Sequence, residues 1–331
     1  MNPVRVESPS PAIKWPDAVA DALDAWAELN GSAVQPRHVA ALKESKASRV
    51  FRMDGLGPDG TSIVAKRRPR AGTLVEQAVY RRLRQHQSLP MLNLLGAVER
   101  GALTWLFFEY AGTDHYSPQN EEHVTALAEY LRRLHAIRDD LAQLPVAGPD
   151  RYLAQLRSSK ARLFEAAADQ GHRPQHRRAM TEFGKLLRRI EADWPKLLRP
   201  CQGWPMGLAH GDLQPKNIFV RRNRAGDLEI LPVDWEDAGR GTGAADAASL
   251  AEIADVEGRL DPYRRALAPD RTPHQLSAFI RTGVVFRYVA AVDWASRGLS
   301  PEWVAKPLNY LSVFAPRLVE AGAAAGLDLA Q

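Results

Sequence analysis

Between His210 and Val220 the chain reads His-Gly-Asp-Leu-Gln-Pro-Lys-Asn-Ile-Phe-Val, a polar loop running into an apolar β-type segment. Asp212 and Asn217 stand five residues apart, and seventeen residues after Asn217 a second apolar run, Leu231-Pro232-Val233, ends on Asp234. Two strands joined by a turn would bring Asn217 and Asp234 to neighbouring strand ends, with Asp212 beside them. An amide oxygen and a carboxylate placed so suit Mg²⁺, which takes one or two protein oxygens and completes its shell with phosphate and water. The separate carboxylate suits a group that orients or deprotonates an attacking hydroxyl. The pattern points to magnesium-dependent phosphoryl transfer.

These residues sit in a 331-residue chain, long for one domain, so two are predicted. Hydrophobic residues at 45% and charged ones at 25% describe an ordinary globular composition. No apolar run approaches the roughly 18–20 residues of a membrane helix, so no membrane partner is expected. Cys201 is the sole cysteine, which rules out an intrachain disulfide and makes a reducing cytoplasm the natural setting. Residues 1–14 are polar and Pro/Ser-rich, without an apolar signal core, and read as a loose tail. Residues 150–200 hold 12 Lys/Arg against 6 Asp/Glu, but without interleaved aromatics they describe a solvated helical face and not a nucleic-acid surface.

The periodicities divide the chain in two. Trp15–Asn30 has helical spacing closed by Asn30-Gly31. Val39–Leu42 reads as a short strand, followed by the small-residue loop Lys43–Ser48. Arg49–Met53 is a strand, Asp54–Gly60 is dense turn sequence, and Ser62–Lys66 is the return strand with a lysine at its end. Gly72 breaks the chain before a helix from Thr73 to about His86. Strands Leu94–Val98 and Leu103–Phe108 follow, and Glu109-Tyr110-Ala111-Gly112 reads as a hinge. Beyond it the character turns helical: Glu121–Ile137, Tyr152–Ala168, Arg177–Leu198, Ala244–Val256, Pro273–Ser296 and Leu308–Ala325. The hairpin carrying the polar loop, with its turn at Arg222–Asp227, interrupts that series.

With these residues laid out, the chain resembles the aminoglycoside phosphotransferase and choline-kinase-like small-molecule kinases, relatives of the protein kinases, over roughly residues 36–300. The resemblance rests on His210-Gly211-Asp212, Asn217 and Asp234 downstream of a lysine at a strand end and a helix glutamate. It implies an α+β, bilobal, protein-kinase-like fold. The expected divisions are a tail and helix over residues 1–35, a nucleotide-binding lobe with an antiparallel sheet and a helix over 36–110, and a larger, mainly helical catalytic and acceptor-binding lobe over 111–331. It further implies that Asp212 is the catalytic base, that Asn217 and Asp234 hold Mg²⁺, and that Lys66 contacts the phosphates of ATP, or of GTP, with Glu76 fixing its charge. Ser45 and Ser48 would lie in the phosphate-covering loop, which lacks the glycines of protein kinases. Backbone groups near Glu109, Tyr110 and Ala111 would meet the adenine.

Several residues carry two readings. Thr73-Leu74-Val75-Glu76 is also a capping box, with Glu76 returning to the Thr73 amide. Lys46 can touch phosphate or solvent. His210 reads as a structural support of the loop. Asp246 can brace the catalytic loop or favour a helix N-terminus by its charge. Trp235-Glu236 follows Asp234 where protein kinases carry Phe-Gly, so no activation-loop switch is expected, and Gln214 stands where they carry lysine.

The acceptor is expected to be a small hydroxylated molecule. Seven acidic residues against one basic, Arg240, between Asp234 and Glu257, with Asp114, Glu121 and Glu122 past the hinge, suit an aminoglycoside or related antibiotic. Phe286, Tyr288, Trp294 and Trp303 offer a different acceptor, a quaternary ammonium such as choline, although aromatics at helical spacing also suit a core. An amino alcohol or sugar kinase, a nucleotide-binding pseudokinase and a protein kinase are the other readings.

Overall fold

The computed structural model of the chain describes residues 16–44, 48–86, 89–253 and 258–329, so the N-terminal tail lies outside it. The described residues form two compact units. One holds the chain up to Thr73 together with Leu92–Tyr110; the other holds Leu74–Met91 and everything from Ala111 onward.

In the first unit, α1 (Asp17–Asn30) is followed by β1 (His38–Glu44), β2 (Arg49–Asp54) and β3 (Ile63–Pro69). The helix α2 (Arg70–Leu83) runs from the first unit into the second, and β4 (Leu94–Arg100) and β5 (Leu103–Glu109) complete the sheet. The order is β1-β2-β3-β5-β4, antiparallel throughout. Helix α1 buries Val19, Ala22, Leu23 and Trp26 against alternate residues of three strands: Phe51 and Met53, Ile63 and Ala65, Trp105 and Phe107. Gly31 ends it in the left-handed conformation (φ 70°), its amide donating to Ala27 O. Asp21 ties the helix to the sheet, accepting from the Trp105 indole at 2.9 Å and from Arg67 at 3.2 Å. Because strand side chains alternate, the burial of Ile63 and Ala65 under α1 turns Lys66 to the opposite face of the sheet.

Three boundaries differ from the sequence reading. β3 continues to Pro69, so Lys66, paired with Val50 and Leu106, is a mid-strand residue and not a strand end. β1 takes in Lys43 and Glu44, which leaves a shorter loop; its residues Ser45, Lys46 and Ala47 lie outside the described residues. α2 begins at Arg70, where the Arg70 amide donates to Ala102 O at 2.9 Å. Gly72 therefore sits inside the first turn, where its cost of about 1 kcal/mol does not break the helix. Thr73 lies inside the helix, its hydroxyl donating to Arg70 O at 2.8 Å, so it is not the N-cap of a capping box with Glu76.

The second unit contains α3 (Glu121–Ala136), α4 (Pro149–Ala168), α5 (Pro174–Ala192), α6 (Trp194–Leu198), β6 (Gly207–Ala209), β7 (Ile218–Arg222), β8 (Leu228–Pro232), β9 (Gly239–Gly241), α7 (Ala244–Ala247), α8 (Asp261–Leu267), α9 (Pro273–Ser296) and α10 (Ala305–Ala324). The predicted helix Arg177–Leu198 is two helices, parted at Asp193 before Pro195, which cannot donate within a helix. The predicted helix Ala244–Val256 is one α turn followed by a 3-10 stretch to Ile253, and residues 254–257 lie outside the described set. Helix α8 and the three-residue strands β6 and β9 were not predicted, being too short to show a period.

Helix α9 is the axis of this unit, apolar nearly all round, with Phe279, Ile280, Val285, Phe286 and Val289 buried. Its start is a capping box: the Gln275 amide donates to Thr272 Oγ1 at 3.2 Å and the Thr272 amide to Gln275 Oε1 at 2.9 Å. Where α9 passes α7 the backbones almost touch, and a Cβ on Gly283 would stand 1.8 Å from Ala244 O. Gly283→Ala must push apart the two segments and is expected to destabilise by about 3 kcal/mol. Thermal melting checks this, with an expected fall of roughly 5 °C or more in the midpoint.

Candidate active site

The polar loop is built as its spacing predicts. β7 and β8 pair with Ile218 opposite Pro232 and Phe219 opposite Leu231, and the ladder is extended by the Val233 amide donating to Asn217 O at 2.9 Å. Asn217 and Asp234 therefore emerge at the same end of one hairpin. Asp234 takes the left-handed conformation (φ 68°, ψ 53°), one that aspartate tolerates better than most side chains. Asp212 docks onto Asn217, whose Nδ2 donates to Asp212 O at 2.9 Å and to its Oδ2 at 3.0 Å, while Gln214 Nε2 donates to Oδ1. Two acceptors facing the same amide nitrogen assign the orientation of the Asn217 side chain and leave its oxygen on the other side. One amide oxygen and one carboxylate are hard ligands that fit Mg²⁺ better than Zn²⁺. Among the described residues, no group of three or more His, Cys, Asp or Glu side chains is placed to hold a metal.

A buried carboxylate holds the loop from behind. Asp246, in α7, accepts from the His210 amide at 2.6 Å and from the Gly211 amide at 2.9 Å. Its Oδ2 also meets His135 Nε2 at 3.2 Å, and His135 Nδ1 meets Tyr263 OH at 2.8 Å. Burial works against the ionised form, but the His135 ring and the His210 amide outweigh it and hold the Asp246 carboxyl below its usual range. The loop-brace reading of Asp246 is the one the structure supports. Gly211 (φ 82°) passes so close to Asp237 that a Cβ would lie 2.2 Å from its carbonyl oxygen. His210 is wholly buried against Trp235 and faces Val233 O through Nε2 at 3.0 Å, while its Nδ1 accepts the Asp212 amide at 3.3 Å. It therefore joins the loop to the end of β8, which is a structural role.

The remaining predicted residues are more dispersed. Lys66 and Ser48 are buried residues of the first unit, and Ser45 lies outside the described residues. Glu76 is buried in the second unit beside Tyr80, whose phenol is pushed up by burial and by that carboxylate. The Glu109 and Tyr110 amides are engaged within the sheet unit, donating to Asn93 O at 3.0 Å and Ser62 O at 3.3 Å. Their N–H groups are thus unavailable to an adenine, and Ala111, the first residue of the second unit, is the remaining backbone donor of the three.

The two acceptor signals change under inspection. Asp237 is paired with Arg151, Glu121 with Arg259 and Glu122 with Arg222, while Asp246 is fully buried as the brace. The side chains of Glu252, Asp255 and Glu257 lie outside the described set. The aromatic residues do not form a cage: Phe286 is buried, stacked on Tyr152 at 4.7 Å and beside Trp194 at 5.5 Å, whereas Trp294 is 57% exposed against Tyr310 and Trp303 is 73% exposed.

The sequence reading missed His135, Tyr263 and Ser249. Ser249 Oγ donates to Leu213 O at 2.6 Å and so holds the loop one residue past Asp212. His135 carried a signal, a polar residue on the apolar face near the end of α3. Asp246→Asn would turn an amide nitrogen toward a backbone N–H or the His135 ring, and is expected to destabilise by about 3 kcal/mol. Since the folded pKa is depressed, the stabilisation is complete above the unfolded pKa and is lost as pH falls through the folded one. Urea melts of wild type and variant should therefore converge between about pH 5 and pH 2.

Comparison with known proteins accords with this geometry. A model of the phosphotransferase enzyme family (APH) matches residues 39–279. A search of curated proteins returns no match. Among solved structures, a thermostable mutant of an aminoglycoside phosphotransferase, in ternary complex with ADP and hygromycin B, aligns over 89% of this chain and 98% of its own at 16% identity and a TM-score of 0.54. An ethanolamine kinase of Plasmodium vivax aligns over 86% and 81% at 13% identity, with a TM-score of 0.59. A putative fructosamine-3-kinase of Haemophilus somnus aligns over 90% and 96% at 13% identity, with a TM-score of 0.54. Such identities speak for a shared fold, here the kinase-like one, and the family match covers well over half of the chain. The chain belongs to the phosphotransferase enzyme family.

Proposed function

We propose that this enzyme transfers the terminal phosphoryl group of ATP, or of GTP, to a hydroxyl of a small molecule, with Mg²⁺ bound by Asn217 and Asp234. The observation that carries the reading is the emergence of these two residues at one hairpin end with Asp212 hydrogen-bonded to Asn217. The metal, when bound, would screen the negative charge of the donor phosphates. Asp212 accepts the proton of the acceptor hydroxyl as its oxygen attacks the terminal phosphorus, while the bond from that phosphorus to the bridging oxygen breaks and the nucleoside diphosphate leaves. Asn217 and Gln214, donating to opposite oxygens of Asp212, fix the direction of its carboxylate. Lys66 binds the donor phosphates with Glu76 keeping it charged, Ser48 and Ser45 belong to the loop that covers them, and the adenine is met by backbone groups of Glu109, Tyr110 and Ala111 other than the two engaged amides, as the family likeness implies.

The nucleotide-binding role is assigned to residues 36–110 and the catalytic and acceptor-binding role to 111–331. We place the enzyme in the cytoplasm, on the single buried thiol of Cys201 and the need for ATP. No helix among the described residues is long and apolar enough to cross a membrane. A second reading takes an aminoglycoside as the acceptor. It is favoured by structural neighbours whose complexes hold hygromycin B or kanamycin.

Release of ADP tests the reaction. Asp212→Asn is expected to lower kcat by about 10²- to 10⁴-fold while nucleotide binding, followed by fluorescence titration, is retained. Lys66→Ala is expected instead to raise KM for ATP. Full activity in Asp212→Asn would end the reading of that carboxylate as the base.

A further inference from the structure

A half-buried guanidinium stands beside the loop that carries Asp212. Arg287 leaves α9 toward the catalytic loop, and its Nη1 donates to Ser249 Oγ at 3.3 Å, the same hydroxyl that donates to Leu213 O at 2.6 Å. Tyr116 holds Ser249 from another direction, its hydroxyl donating to Ser249 O at 3.1 Å. The Ser249 hydroxyl is the sole hydrogen-bond partner of Arg287 among the described residues, and no described carboxylate forms an ion pair with it. Three other partly buried arginines of this unit are paired with carboxylates: Arg151 with Asp237, Arg162 with Asp293, Arg221 with Glu229.

A guanidinium has five donors, and withdrawing it from water with one neutral partner is unfavourable unless something anionic completes it. Burial lowers the pKa of this guanidinium, and the carboxylate that most offsets the effect is Asp212. The Ser249 hydroxyl that links Arg287 to Leu213, the residue after Asp212, places the guanidinium next to the base, where the acceptor hydroxyl must lie. A polycation brought to Asp212 would meet this like charge, and the two carboxylates against the loop, Asp237 and Asp246, are already engaged by residues of the chain.

We propose that Arg287 is an acceptor-specificity residue that binds an anionic group, a carboxylate or a phosphate monoester, on the molecule that is phosphorylated. The inference rests on the phosphotransfer reading above and adds the charge class of the substrate. The acceptor is then a small hydroxy acid or the phosphate ester of a polyol, its anion clamped by the arginine while its hydroxyl faces Asp212. Such a fork prefers the planar guanidinium over an ammonium.

The test separates the two claims. Hydrolysis of Mg-ATP without acceptor, lost in Asp212→Ala, checks the phosphotransfer reading by itself. ADP release is then measured with matched probes: L-homoserine and L-serine against their methyl esters for the carboxylate, glycerol 3-phosphate against glycerol for the phosphate, and kanamycin for the polycation. At least one anionic member should be turned over in preference to its neutral partner. The ratio of their kcat/KM values should fall about 10- to 100-fold in Arg287→Gln, and less in Arg287→Lys, which keeps the charge. Folding of both variants is checked by circular dichroism. Turnover confined to neutral or cationic probes, turnover of none of the anionic ones, or an equal loss on both members of a pair in Arg287→Gln would overturn the assignment. Each of these outcomes would leave the hydrolysis result, and with it the phosphotransfer reading, standing.

Discussion

Asp246 has no exposed surface, yet its carboxylate organises the loop that carries Asp212 from behind. It accepts two consecutive backbone amides, those of His210 and Gly211, and meets the ring of His135. A buried ionised carboxylate is tolerable only with such partners, because withdrawal from water removes several kcal/mol of hydration per charge. Satisfied in this way, it orients successive peptide planes and so sets the direction in which Asp212 leaves the loop. Short elements carry this arrangement: β6 delivers His210, one turn of helix delivers Asp246, and the close passage of Gly283 against Ala244 fixes that turn on α9. Small residues stand where backbones must approach, and polar ones where their groups must be paired.

The hairpin of β7 and β8 contributes the second constraint. Its register determines that Asn217 and Asp234 emerge together, and a slip of one residue would turn both to the wrong face. His210 faces Val233 O and accepts the Asp212 amide, which locks the loop to the strand end. The proposed base and metal ligands, Asp212, Asn217 and Asp234, thus belong to one unit. Donor chemistry then follows from ligand types: an amide oxygen and a carboxylate for a hard cation, and a second carboxylate left for a proton.

Much of this was legible in the residues themselves. Alternation and turn residues announced the sheet and the hairpin, and the spacing of Asp212, Asn217 and Asp234 gave their convergence, because strand pairing translates spacing directly into position. The apolar period of Pro273–Ser296 matched α9 to the residue. What stayed hidden depends on contacts distant in sequence. Asp246 reads equally as a helix-terminal charge until His210 and Gly211 are seen against it. β6 and β9, of three residues each, gain their form from pairing and not from propensity. Phe286, Tyr288 and Trp294 share one helix, but rotation about its axis buries the first and exposes the last, which no count of aromatics reveals. The acidic stretch likewise looked like an open surface until Arg151 was found against Asp237.

The proposed function requires the hairpin end to hold a divalent ion beside Asp212. Mn²⁺ substituted for Mg²⁺ in the ADP complex, with free Mn²⁺ followed by electron paramagnetic resonance, measures that directly. Affinity is predicted to fall about tenfold or more in both Asn217→Ala and Asp234→Asn, and far less in Arg222→Gln at the opposite end of the hairpin. Equal Mn²⁺ affinity in wild type and both hairpin-end variants would contradict the account.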